Sequence, residues 1–202
     1  MVVKATQWAA AAWVTVQADL RPIDKIPRYG RLGWMQEFPI FIELSVHDEV
    51  TYSPFAEDLV AADFILKTDV TWDSTQGYAA CGFVFRYDPE SRRGGQYHFV
   101  MTRLSGLPAW ELVYQQYDRS PQEISGFRTS GAIDQGKGAT NRLILIAQGD
   151  HFTLYANEKK LGTFYDHGDI QKEGVFAFSA SHDSGLTTCT FEQTWVWLLE
   201  EE

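Results

Sequence analysis

Asparagine is nearly missing from this 202-residue chain: it occurs only at positions 141 and 157, and neither begins an Asn-x-Ser/Thr sequon. Cysteine is almost as scarce. Cys81 and Cys189 match neither a CxxC motif nor a Cys/His zinc pattern. They read as buried free thiols, because unpaired cysteine behaves as a small hydrophobe; one long-range disulfide is the alternative. Basic residues number 17 against 27 acidic, a net charge of −10. Such a chain is repelled by nucleic acid and by anionic membrane surfaces, and no Lys/Arg run offers a local exception. No apolar stretch approaches 18 residues, so no membrane span is expected. No proline follows Pro121, which leaves the remaining strands free to pair without losing a ladder donor.

What is abundant is apolar and aromatic. Hydrophobic residues make up 45% of the chain, charged residues 22% and aromatics 14%. That balance excludes a disordered or collagen-like chain and describes a folded protein of one large domain, or of one domain with a short extension. The segment Trp8–Ala18 has a faint signal-peptide character with a Val-x-Ala end. It is read instead as a packed strand or short helix, with no cleaved leader expected.

Prolines at 22, 27, 39 and 54 punctuate the first sixty residues into short apolar pieces. A basic-aromatic stretch from Arg28 to Trp34 lies among them. Its preferred reading is a clamped surface loop, and Tyr29, Arg31 and Trp34 are the candidates for docking a partner, since an exposed Trp beside Arg is a common anchor. From Asp63 onward the pattern is regular. Strands are expected at Phe64–Trp72, Tyr78–Tyr87, Gln96–Leu104, Trp110–Tyr117 and His151–Tyr155, each bounded by turn clusters. Leu143–Ala147 is apolar on both faces, as in a central strand covered on both sides. Leu161–Tyr165, Val175–Phe178 and Thr187–Trp197 complete the set. Eight to ten such strands without a 3.6-residue period predict an all-β, antiparallel two-sheet sandwich.

The order of short motifs is also informative: Cys81–Tyr87, then Tyr97-His98-Phe99, Ser130–Ile133, Asn141-Arg142-Leu143, Gly149–Asn157 and Gly174–Ala177. Together they resemble the concanavalin A-like lectin/glucanase superfamily, in particular its LamG-like and DUF1080-like (3-keto-disaccharide hydrolase-like) bacterial domains. The resemblance covers roughly residues 60–198. It implies a jelly roll of one concave and one convex sheet, an extracellular or cell-surface setting, and recognition of carbohydrate or protein more often than catalysis. Residues 1–59 are then an irregular extension that packs on or lengthens the sandwich of residues 60–202. Where relatives carry Asn-Gly at a tight turn, this chain has Asn157-Glu158, so a longer loop through Lys159 and Lys160 is expected.

Catalytic signatures are absent. A glucanase on this scaffold needs a Glu-x-Asp-x-Glu strand, whose alternate carboxylates approach the spacing of retaining hydrolysis; Glu111 and Asp118 are too far apart. Ser181-His182-Asp183 are sequence neighbours and cannot share a strand face. No G-x-S-x-G elbow occurs. The histidines lack metal-ligand spacing, and His98 and His151 read as partly buried structural residues. No cofactor is expected; Asp166-His167-Gly168-Asp169 offers oxygens to calcium, with a solvated turn preferred.

The ligand-binding candidates are Arg86, Trp72, Trp110 and Tyr114. Arg86 is expected to point away from Phe83 and Phe85, able to grip hydroxyls or to pair with Glu111. Trp72 is placed at the rim. Trp110 and Tyr114 share a face with Leu112, which favours the core for that set; Trp195 and Trp197 are placed beside Cys189 and Phe191 by the same alternation. The leading function is a non-catalytic recognition domain for a carbohydrate or protein ligand. The alternatives are a structural subunit of a homo-oligomer or larger assembly, and a sugar-processing hydrolase or lyase.

Overall fold

A computed structural model describes residues 2–27, 29–74, 77–88, 95–104, 107–116, 120–166 and 171–200. Asp118, Tyr117, and the 167–169 part of the expected cation turn lie outside them. The chain opens with helix α1 (Val2–Leu20) and a short 3₁₀ turn (Arg21–Ile23), then forms β1 (Arg31–Met35), β2 (Ile40–Leu44) and β3 (Val50–Phe55). There follow β4 (Phe64–Ser74), β5 (Tyr78–Tyr87), β6 (Gly95–Leu104), β7 (Leu107–Gln116), β8 (Gln122–Glu123) and β9 (Arg128–Thr129). The last five are β10 (Ala139–Gln148), β11 (His151–Ala156), β12 (Lys159–Tyr165), β13 (Val175–His182) and β14 (Thr187–Leu198).

Two antiparallel sheets result. Sheet A runs β1-β14-β4-β10-β11-β12, with β2 also on β14; sheet B runs β3-β13-β5-β6-β7-β8, with β9 also on β7. Residues 1–59 thus contribute strands to both sheets. Between the sheets lies one aromatic core in which Phe83, Phe85, Tyr97, Phe99, Phe152, Phe178 and Phe191 are fully buried. It forms because every second residue of each strand turns to the same side.

Sheet A is covered on its outer side as well. Ala12, Val16 and Leu20 recur every four residues on α1 and are buried, so one stripe of the helix faces the sheet. Val16 and Leu20 pack with Ile65, Ile144, Tyr155, Trp195 and Trp197, and Trp13 lies on Trp197 with ring centroids 4.7 Å apart. This explains the doubly apolar run: Leu143 and Leu145 face the inter-sheet core, while Ile144 faces the helix. The alanine-rich segment, left open between strand and short helix, is a helix of 19 residues, as its run of alanines favours. No helix among the described residues is long and apolar enough to cross a membrane.

Three local readings are corrected. Cys81 and Cys189 are joined by a disulfide, not free. They sit on inward faces of β5 and β14 in opposite sheets, with Cα atoms 5.8 Å apart, a separation that admits a bridge; a spacing of 108 residues carries no sign of that facing. Trp195 and Trp197 do not share a face with Phe191: a bulge at Gln193 (φ +51°) shifts the register of β14 on β4 between Glu192 and Trp195. One extra residue moves every later side chain to the other face, which puts both indoles under α1. Finally, Asn157 and Glu158 do make the two-residue turn, with φ +47° and +67° and Ala156 paired to Lys159. Asn157 is held there by its own amide, which donates to Ala132 O and to Asn141 Oδ1 and accepts from Arg142 N, each at 2.8 Å.

Candidate functional site

Three of the four ligand-binding candidates belong to the core. Trp72 is 3% exposed, and its indole N–H donates to Asp134 O at 3.2 Å. It shares the inward face of β4 with Val70 rather than reaching the rim. Trp110 is buried edge-on to Phe99 and Phe164, and Tyr114 is buried against Tyr97. A ring closed in this way offers no surface to a ligand. Arg86 is corrected too. Its left-handed backbone (φ +51°) breaks the alternation of β5 beside a register shift against β13, so its side chain does not project into solvent. The guanidinium donates to Ala62 O at 2.7 Å and Gly149 O at 2.8 Å, and lies 3.7 Å from Asp63 and over the Phe152 ring. It clamps one end of the sandwich, and Glu111 is not its partner. Of the docking candidates, Tyr29 and Arg31 are exposed, whereas Trp34 is half-buried on Phe55 at 5.0 Å.

The register of sheet B instead assembles a polar face that the alternation pattern did not single out. Tyr52, Ser179, Gly82, Val100 and Glu111 form one continuous cross-strand row on β3, β13, β5, β6 and β7. The adjacent row is Pro54, Ala177, Val84, His98, Val113 and Glu123. All of these lie opposite the inter-sheet core, since Phe178, Phe83, Phe99 and Leu112 occupy the alternate positions. Burial along the rows is uneven. The middle strands are sunk, with Ala177, Ser179, Val84 and Val100 all buried, while Tyr52, Pro54 and Glu123 stand exposed at the two sides. The face is therefore a trough with a small-residue floor. Gly82 is required in that floor: a Cβ there would sit 2.1 Å from Phe99 O and 2.6 Å from Val100 Cα.

One contact defines the trough's geometry. The rings of Tyr52 and His98 meet edge-on with centroids 5.6 Å apart, although two strands separate β3 from β6, a backbone span of about 14 Å. Both side chains must lie across the floor, over Ser179 and Gly82. The Gln96 side chain links them, hydrogen-bonding the Tyr52 side chain and donating to His98 Nε2 at 2.8 Å. Burial holds His98 neutral, its pKa pushed down to about 4. Burial also pushes up the hydroxyls of Tyr52 and of Tyr78, which hydrogen-bonds Ser181 further along the face, so both phenols stay protonated. The Glu111 carboxyl is likewise raised, by burial first and by the Glu123 charge second. No Lys or Arg of the described strands points into the trough. It presents an aromatic ring and neutral hydrogen-bonding groups at one side and carboxylates at the other. Among the described residues no group of three His, Cys, Asp or Glu could hold a metal ion.

Half of this arrangement was legible. Ala80, Gly82 and Val84 mark the small-residue face of β5 in the sequence itself. Tyr52 was not, because only the pairing of β3 with β13 brings it there. His98, expected to be partly buried and structural, is buried on the trough side; His151 is exposed.

No protein-family model matches the chain, and no curated protein does. Among solved structures, the carbohydrate-binding module CBM66 from Bacillus subtilis is similar, with a TM-score of 0.58 at 17% identity over 76% of this chain and 84% of that one. A Bacillus subtilis protein of unknown function with a galectin-like fold gives 0.54 at 14% identity, over 78% and 83%. A structure from a study of endo-acting O-glycanases of the human gut microbiota gives 0.53 at 11% identity, over 80% of each chain. At these identities the likeness is one of fold: the chain is a two-sheet jelly-roll sandwich.

Proposed function

We propose that this jelly roll is a non-catalytic carbohydrate-recognition module whose glycan lies in the trough of sheet B. The observation that carries the reading is the Tyr52 ring, held beside Gln96 and His98 over a floor of Gly82 and Ser179. A sugar ring has apolar C–H faces that stack on a phenol, while its hydroxyls need fixed neutral donors and acceptors at the edge. The absence of basic groups on the described face disfavours anionic ligands. The similarity of fold to a carbohydrate-binding module and to a galectin-like protein supports the same reading. The Cys81–Cys189 disulfide supports an oxidising, extracellular setting.

A glycan array followed by titration calorimetry tests it. Tyr52→Ala and His98→Ala are expected to weaken the best array ligand about tenfold each. Unchanged affinity in both would refute the site. Release of sugar from that ligand, lost in Glu111→Gln, would instead make the protein a hydrolase. Docking of a protein through Tyr29 and Arg31 is the second reading, favoured by the exposure of both side chains. Its sign would be self-association or partner binding, measured by light scattering, that Tyr29→Ala abolishes.

A further inference from the structure

The outer face of sheet A divides in two. One half lies under α1; the other carries Phe41 and Glu43 on β2, Thr188 and Thr190 on β14, Thr71 and Asp73 on β4, and Thr140 on β10. None of these is fully buried, and Phe41 is 67% exposed. Phe41, Thr190, Thr71 and Thr140 are successive cross-strand partners, so they form one straight row spanning about 14 Å. The hydroxyls of Thr71 and Thr140 are locked together at 2.6 Å. The row ends at a cavity of about 480 Å³ lined by Asp69, Thr140, Arg142, Asn157 and Glu158.

That cavity is built from fixed parts. Arg142 donates to Asp69 at 3.0 Å and lies 3.1 Å from Asp19, which comes from the end of α1. Asp69 also takes the buried ammonium of Lys67 at 2.8 Å. Two cations face two carboxylates, so Arg142 is already neutralised and offers no net charge to a phosphate or carboxylate ligand. It still holds N–H groups at the cavity wall, beside the hydroxyl of Thr140 and the carboxylate of Glu158.

We propose that this half of sheet A is a second glycan-binding surface, independent of the trough, taking a neutral polysaccharide along the Phe41–Thr140 row. Phe41 stacks on one sugar ring, the threonine hydroxyls meet hydroxyls of the chain, and the cavity, where Arg142 is already paired, receives the ring at the far end. A protein partner would be expected to find apolar surface here, but the row is mostly hydroxyl. A second copy of this chain would bring its own −10 net charge against Glu43, Glu158 and Glu192.

The test uses the full chain and pull-down onto a panel of levan, chitin, cellulose, xylan and insoluble β-1,3-glucan. Tyr52→Ala, which disables only the trough, is compared with Phe41→Ala and with the Thr71→Val/Thr140→Val pair; melting curves confirm that each folds. At least one polysaccharide should be retained by Tyr52→Ala and lost about tenfold by both sheet A variants. The proposal is overturned if the wild type binds nothing on the panel, or if Phe41→Ala and the valine pair bind every member as the wild type does. It is also overturned if Phe41→Ala abolishes only a concentration-dependent dimer seen by light scattering. Loss in Tyr52→Ala alone would leave the trough as the single site.

Discussion

Reducing the Cys81–Cys189 bond removes the single disulfide cross-link between the two sheets among the described residues. The closed loop spans 108 residues. Loop-closure entropy of that size restricts the unfolded chain by up to about 4.7 kcal/mol, and loss of native disulfides costs about 2–5 kcal/mol in practice. For a domain of this length each kcal/mol moves the melting temperature by about 2–4 °C, so a fall of about 4–20 °C is expected. The clean comparison is oxidised against reduced wild type, because both keep the sulfur atoms in a core where each cysteine is 0% exposed. A Cys81→Ala/Cys189→Ala variant should melt slightly lower again, since two small cavities add to the lost cross-link. Calorimetry of the three forms decides it. If oxidised and reduced wild type melt within about 1 °C of each other, the tie contributes nothing and the entropic argument is refuted.

Three further outcomes are expected of buried or strained groups. His98 has its pKa held at about 4, against 6.5 for a free imidazole; the unfolded chain protonates first, so this contribution to stability is complete above pH 6.5 and is lost as pH falls towards 4. Urea titrations should show wild type losing about 3 kcal/mol more than His98→Gln across that window; parallel pH profiles would exclude it. Asp19→Ala takes the acceptor from the Trp195 indole N–H, bound at 2.8 Å, and a carboxylate from Lys67 and Arg142. It should cost about 3 kcal/mol in denaturant titration and speed tryptic cleavage at Lys25. Glu158→Gly relieves a side chain at φ +67° in the β11–β12 turn and should stabilise by about 0.5–1 kcal/mol in the same titration, whereas Asn157→Gly, which loses three hydrogen bonds, should destabilise.

Residue alternation alone was enough to specify two layers of antiparallel strands, the bounds of β5 and the double burial of Leu143–Ala147, although it ended β13 four residues short, at Phe178 instead of His182. Those features depend on which side chains avoid water, and period-2 patterning states that locally. The proposed binding face was another matter. Alternation placed Trp110 and Tyr114 with Leu112 on the core side, as found, but it could not register the left-handed residues Arg86 and Gln193. Each reverses the facing of the side chains after it, and neither is a glycine that would announce the change. Nor could it pair strands distant in sequence. Tyr52 reaches His98, and Cys81 reaches Cys189, only after β3 joins β13 and the two sheets stack. Composition and period therefore determined that this chain is a sandwich with an aromatic interior. Which rings are left for a ligand was decided by register and sheet order, because facing across strands is a property of the assembled hydrogen-bond ladder and not of any segment within it.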